Sequence, residues 1–347
     1  MRKYHLFILS FCLFSCVDQL DVATDDALRV LVVEGSISTL PGPHYVYLSR
    51  SAQYGDSFVD FSRPESRAFV RIRDEAGGQV VLTEEEDGRY ATPRGFRAKV
   101  GSSYSIVIET ANGEQYASIP ETVPQAPIIE SLMVQYKRLP AIDDSFFDHG
   151  LEVYSVFQDD PSTQNFYLYR NRGTYLVETS PELHVIVPAL GGPAIPAPKD
   201  CCRTCWVEEN DGDNELRVTS DLDFNGNLTS QLAGFIIDDG ARFDDKYMIR
   251  VYQRSITKEA FQFFNLLNSQ LSISGNLFDP PPATLRGNII NIDQPESPVI
   301  GYFYASDTAV DSVFLERDLL QDPYLDFEYW DDCRTLERAT TKRPSYW

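Results

Sequence analysis

The sequence predicts a mainly β fold: an N-terminal β-sandwich of immunoglobulin or transthyretin type, then a second β-rich domain carrying one amphipathic helix. Short runs rich in Val, Ile, Thr, Tyr and Phe recur with turn residues about every ten positions, the pattern of many short strands. One segment, residues 257–272, instead spaces its apolar residues at the helical period. With 43% hydrophobic and 12% aromatic residues, the 347-residue chain has apolar material for two domains of ordinary size.

Residues 1–15 read as an export signal. Arg2 and Lys3 form its positive region, and the apolar run 6–14 follows. That run is too short to span a bilayer core, which needs about 20 apolar residues. Leu13-Phe14-Ser15-Cys16 resembles a lipobox, in which cleavage falls between Ser15 and Cys16 and the Cys16 thiol carries the lipid. Plain secretion with an incidental cysteine is the alternative. Several acyl chains, each adding about 0.8 kcal/mol per buried CH₂, would make the attachment effectively permanent. Asp18, Asp21, Asp25 and Asp26 make residues 16–27 an acidic tether, either a sorting signal or a solvated linker.

Residues 28–122 are expected to form the sandwich. Residues 28–37 read as a first strand ending near Gly35, and Pro41-Gly42-Pro43 turns the chain into a second at 45–48. In the run 66–74, Ala68, Val70 and Ile72 alternate with Arg67, Arg71 and Arg73, and Gly77-Gly78 then leads into Val80, Val81 and Leu82; this predicts a hairpin. Strands at 104–108 and 116–119 follow, and Pro120, Pro124 and Pro127 mark a stiff boundary.

The second domain, 128–347, is expected to hold strands at 128–136, 151–157, 165–170, 174–178, 216–219, 234–237, 246–253, 288–292 and 299–305, with 313–315 as a further short one. Residues 188–215 read as a long loop, rich in proline and then in acidic residues, of the kind that often carries binding. The predicted helix places Ala260, Phe264, Leu267 and Leu271 on one face, with Thr257 as its N-cap. A helix packed on a sheet explains that stripe; a binding face is the other reading.

Cys201, Cys202, Cys205 and Cys333 remain once Cys12 and Cys16 are set aside, and an even number in an exported chain suggests disulfides. A bridge from Cys333 to Cys202 or Cys205 would staple the C-terminal tail; the sequence leaves the connectivity open. A zinc site of four thiolates is disfavoured by the spacing and by an oxidising compartment. Asp221, Asp223 and Asn225 resemble the first half of a calcium loop, but Leu232 stands where a bidentate carboxylate is needed, which favours a turn. No cofactor is expected: phosphate loops, dinucleotide fingerprints and HExxH are missing, and Ser255-Ile256-Thr257-Lys258 lacks the companion motifs of a serine acyltransferase. A formal charge of -22, falling to -24 once Arg2 and Lys3 are removed, argues against nucleic acid as partner.

Leu31-Val32-Val33-Glu34-Gly35, Pro41-Gly42-Pro43, Leu48-Ser49-Arg50-Ser51, Cys201-Cys202-Arg203-Thr204-Cys205-Trp206, Thr257-Lys258-Glu259-Ala260 and the closing Thr341-Lys342-Arg343-Pro344 with Tyr346-Trp347 occur in a familiar order. With them the chain resembles the domain of unknown function 4249 family (DUF4249), outer-membrane lipoproteins of Bacteroidota often encoded beside SusC-like TonB-dependent receptors. The resemblance spans nearly the whole mature chain and carries no catalytic residues. It implies an outer-membrane, outward-facing lipoprotein that is not an enzyme, serving as a binding or accessory subunit for a TonB-dependent receptor barrel and a small-molecule, glycan or peptide ligand. The rival expectations are an enzyme using paired carboxylates among the acidic loops, and a structural or adhesive surface protein.

Overall fold

The computed structural model describes residues 29–51, 62–139, 149–189, 191–210, 216–271, 285–324 and 328–347. The export signal, Ser15, Cys16 and the tether lie outside the described residues. The chain is mainly β, with one α-helix and several sheets.

The largest sheet runs, from edge to edge, through Ala339–Thr340, Thr204–Asn210, Phe166–Glu178, Lys246–Ser255, Ile300–Glu316, Leu31–Ser38, Tyr45–Ser51, Arg89–Ala91 and Thr83–Glu86. One end packs on a second sheet ordered Ile289–Asn291, Gln115–Ser118, Ser103–Glu109, Phe69–Asp74 and Gln79–Val81. Their facing side chains, among them Val33, Ile37, Val70, Ile72, Ile106, Ile108 and Phe303, form the first core. The hairpin of Phe69–Asp74 and Gln79–Val81 buries Val70 and Ile72 and leaves Arg73 exposed, as the alternation in the sequence dictates.

The first unit does not close within residues 28–122. Leu31–Ser38 pairs in parallel with the start of Ile300–Glu316, and Gln115–Ser118 pairs with Ile289–Asn291, so Ile289, Phe303 and Ala305 lie in the first core. The expected division into sequential domains therefore misassigns residues 289–306. Local patterning states which face of a strand is apolar and leaves its partner unspecified. Ile300–Glu316 is also one 17-residue strand, where two had been expected. Its first part continues the first unit, and from Asp307 onward it pairs with Lys246–Ser255 in the second. Gly301 permits the close parallel pairing with Leu31–Ser38: its φ is +108°, and a Cβ there would lie 1.9 Å from the Val33 carbonyl oxygen.

Beyond the joint, one face of the large sheet packs on a three-stranded sheet ordered Ile129–Arg138, His149–Gln158 and Leu228–Ile237. Leu151, Val153, Phe157, Tyr167, Ile249 and Val251 fill that second core. The opposite face carries the helix, Lys258–Leu271. The Thr257 hydroxyl oxygen accepts the Ala260 N–H at 3.2 Å, which makes Thr257 the N-cap. Ala260 and Phe264 are buried against Phe166, Leu168, Tyr302 and Tyr304, and full burial of a Phe stabilises by about 1.5–3 kcal/mol. Leu271, at the last turn, is exposed.

Two further expectations are corrected. The long loop over 188–215 contains a strand, Thr204–Asn210, which pairs with Phe166–Glu178; its alternation of buried Cys205 and Val207 with outward residues is masked in the sequence by acidic and proline-rich neighbours. Phe166–Glu178 is a single 13-residue strand. Gly173 continues it because Tyr247 lies over that position, where a Cβ would meet the phenol oxygen at 1.7 Å.

The tail is fastened at two points. Cys205 and Cys333 form a disulfide, with Cα atoms 5.8 Å apart, while Cys201 and Cys202 are joined to each other. Ala339–Thr340 then adds to the sheet edge, and Trp347 meets Phe314 edge-on at 5.5 Å.

Candidate functional site

Two strand edges and the helix leave a cleft in the second unit. Arg217–Ser220 pairs only with the first part of Phe166–Glu178, from Phe166 opposite Ser220 to Tyr169 opposite Arg217, because Thr204–Asn210 occupies the rest of that side. Leu228–Ile237 is the outer strand of its sheet. Among the described residues, the space between them has a volume of about 370 Å³ and is lined by Tyr169, Arg217, Thr219, Gln231 and Asn268, with Leu216, Val218 and Leu232 as apolar wall.

Tyr169 is the telling member. It is 2% exposed, and its hydroxyl has no hydrogen-bond partner among the described residues. Burial first, then the charge of Asp159, pushes its pKa well above the ordinary tyrosine value, so the phenol remains a neutral donor. A buried hydroxyl without a partner costs about 1–3 kcal/mol, and such a cost is tolerated where a ligand supplies the missing acceptor. Around it Arg217 offers a guanidinium, Gln231 and Asn268 offer amides, and Thr219 offers a hydroxyl. These are the groups that can hold and orient a polar molecule by hydrogen bonds. The described lining contains no carboxylate, histidine or cysteine with which to move a proton or attack a bond.

A second cleft, about 290 Å³, lies where Thr204–Asn210 meets the tail, lined by Tyr175, Glu209, Arg242 and Arg338 among others. Its charges satisfy one another. Arg242 grips Glu209 with two donors, Nε at 3.1 Å and Nη2 at 2.8 Å, and also contacts Asp239, while Tyr247 donates to Glu209 at 3.0 Å. That closed network fixes the sheet edge.

The other sequence candidates have structural positions. Asp221 is buried and accepts the Asn165 N–H at 2.7 Å, whereas Asp223 and Asn225 are exposed. Phe224, between them, packs edge-on against Phe157 at 6.2 Å, so this segment is a turn pinned to the second core. Cys201, Cys202 and Asp332 lie close enough together to suggest a metal, yet the two sulfurs are joined to each other. Glu121 is the one carboxyl group among the described residues whose pKa is raised, by burial, and it lines neither cleft. Tyr169, Gln231 and Asn268 escaped the sequence reading: they lie on two strands and a helix, and no local motif joins them.

Residues 17–312 match a family model described as a domain of unknown function (DUF4249). No curated protein and no solved structure matches the chain.

Proposed function

The chain belongs to the DUF4249 family, and from that premise we propose that it is a lipid-anchored, outward-facing lipoprotein of the outer membrane that binds a polar ligand as an accessory of a SusC-like TonB-dependent receptor. Cys16, at the end of a signal-like segment, supplies the anchor. No helix among the described residues is long and apolar enough to cross a membrane. The observation that carries the binding role is the Tyr169 hydroxyl, buried without a hydrogen-bond partner among the described residues, beside a cleft whose described lining is rich in hydrogen-bonding side chains.

The test uses the full chain against neutral oligosaccharides and short peptides. A ligand at 100 times its Kd raises stability by about 2.7 kcal/mol, a shift of several degrees or less in Tm for a chain of this size. Tyr169→Phe leaves stability equal or higher, because it removes a buried unsatisfied group, and it weakens that binding. A panel with no effect on Tm, together with no receptor barrel co-purifying from gently solubilised membranes, would overturn the proposal.

A further inference from the structure

Adjacent residues of a strand point to opposite faces, so the face of Phe166–Glu178 that carries Arg170 and Arg172 is the one Tyr169 avoids. The ladder register places Asn210, Arg172, Arg250 and Ser312 in one cross-strand row on that face. Arg170, Tyr252 and Val310 form the next row, and Leu168, Arg254 and Thr308 the one after. In a chain with 52 acidic and 30 basic residues, the first two rows hold Arg172, Arg250 and Arg170 and no carboxylate, while Arg254 in the third donates to the Tyr304 hydroxyl at 2.7 Å beneath the helix. Like charges directly opposite on a ladder repel. Arg172 and Arg250 nevertheless face each other: Arg172 is exposed without an ion pair among the described residues, and the partner of Arg250 is the Tyr346 ring, 5.1 Å away. The helix covers the sheet on the Leu168 side and the tail covers it on the Tyr346 side, which leaves a strip open between them.

We propose that this strip is a second binding site, for an acidic oligosaccharide. Guanidinium forks pair with carboxylates through two parallel hydrogen bonds, and a bound anion removes the repulsion between Arg172 and Arg250. Tyr252, in the row beside those charges, adds an aromatic side chain with a polar tip of the kind that packs on a sugar ring.

Oligogalacturonate, titrated calorimetrically into the full chain at low salt, is the probe, with a neutral oligosaccharide of equal length and anionic phospholipid vesicles as separate arms. Binding is expected for the acidic sugar alone. It should weaken with salt and fall by roughly tenfold in Arg172→Gln and in Arg250→Gln. Arg172→Gln should keep the native Tm, since it relieves a like-charge contact, and Tyr169→Phe should leave this binding unchanged. No heat of binding at low salt, equal binding of the neutral chain, preference for the vesicles, or undiminished affinity in the double variant would each overturn the proposal.

Discussion

Tyr302 donates its hydroxyl hydrogen to the Glu121 carboxylate at 2.5 Å, and the buried carboxylate so held is also the point at which the helix start meets the first unit. Thr257 donates to the other carboxylate oxygen at 2.6 Å, and the Asn288 amide approaches at 3.3 Å. The carboxylate thus ties the end of the first unit to the helix N-terminus and to the shared strand Ile300–Glu316.

Burial holds the Glu121 carboxyl above its ordinary range, with its hydrogen bonds opposing. A folded-state pKa above the unfolded one means that the native state keeps the proton longer. The stabilising contribution is complete below the unfolded pKa, near 4.3, and is lost as pH rises through the folded value. Urea unfolding from pH 4 to 8 should show native stability declining relative to Glu121→Gln, which cannot ionise. Parallel pH profiles would refute this role.

Replacing Thr257 by Ala removes the cap, costing about 1 kcal/mol, and one hydrogen bond to Glu121 that contributes a similar amount. Thr257→Ser retains the hydroxyl, and with it both hydrogen bonds. Chemical denaturation should separate the two variants by about 2 kcal/mol, and equal losses would show that the hydroxyl contributes neither effect.

The Cys205–Cys333 bridge closes a loop with a sequence separation of 128 residues. Restricting so long a loop in the unfolded chain stabilises by about 2–5 kcal/mol. Cys333→Ser should lower the denaturation midpoint accordingly and free the tail to proteases. Non-reducing peptide mapping of the native protein should recover the two half-cystines in one species; a free thiol at Cys333 would contradict the staple.

Cys16→Ser should move the protein from the membrane fraction to the soluble one, because the lipid on that thiol is the proposed anchor. Retention in washed membranes would point to another means of attachment.

What the sequence revealed and what it hid follow from the range of each interaction. Val70 and Ile72 were legible because strand alternation is a two-residue rule, and the helix because Thr257, Ala260 and Phe264 lie within two turns of one another. Cys333 announced a long bridge, but the choice of Cys205 needed coordinates. Pairing across large separations stayed hidden: nothing near Ile300 says that it lies beside Val32, and the polar Ser306, Asp307 and Thr308 read as a break where the strand passes between units. The cleft was hidden for the same reason. Tyr169 has the pattern of any core tyrosine, and nothing local in the sequence says that Arg217–Ser220 ends opposite it and leaves a cleft beside it.

The parallel ladder between Leu31–Ser38 and the first part of Ile300–Glu316 bears on how the molecule withstands traction. A pull transmitted through the residues before Leu31 acts along the strand axis. It loads the whole row of hydrogen bonds in shear, so they must fail together instead of opening one at a time. Because the same long strand continues into the second unit, the stress passes along it into the ladder with Lys246–Ser255.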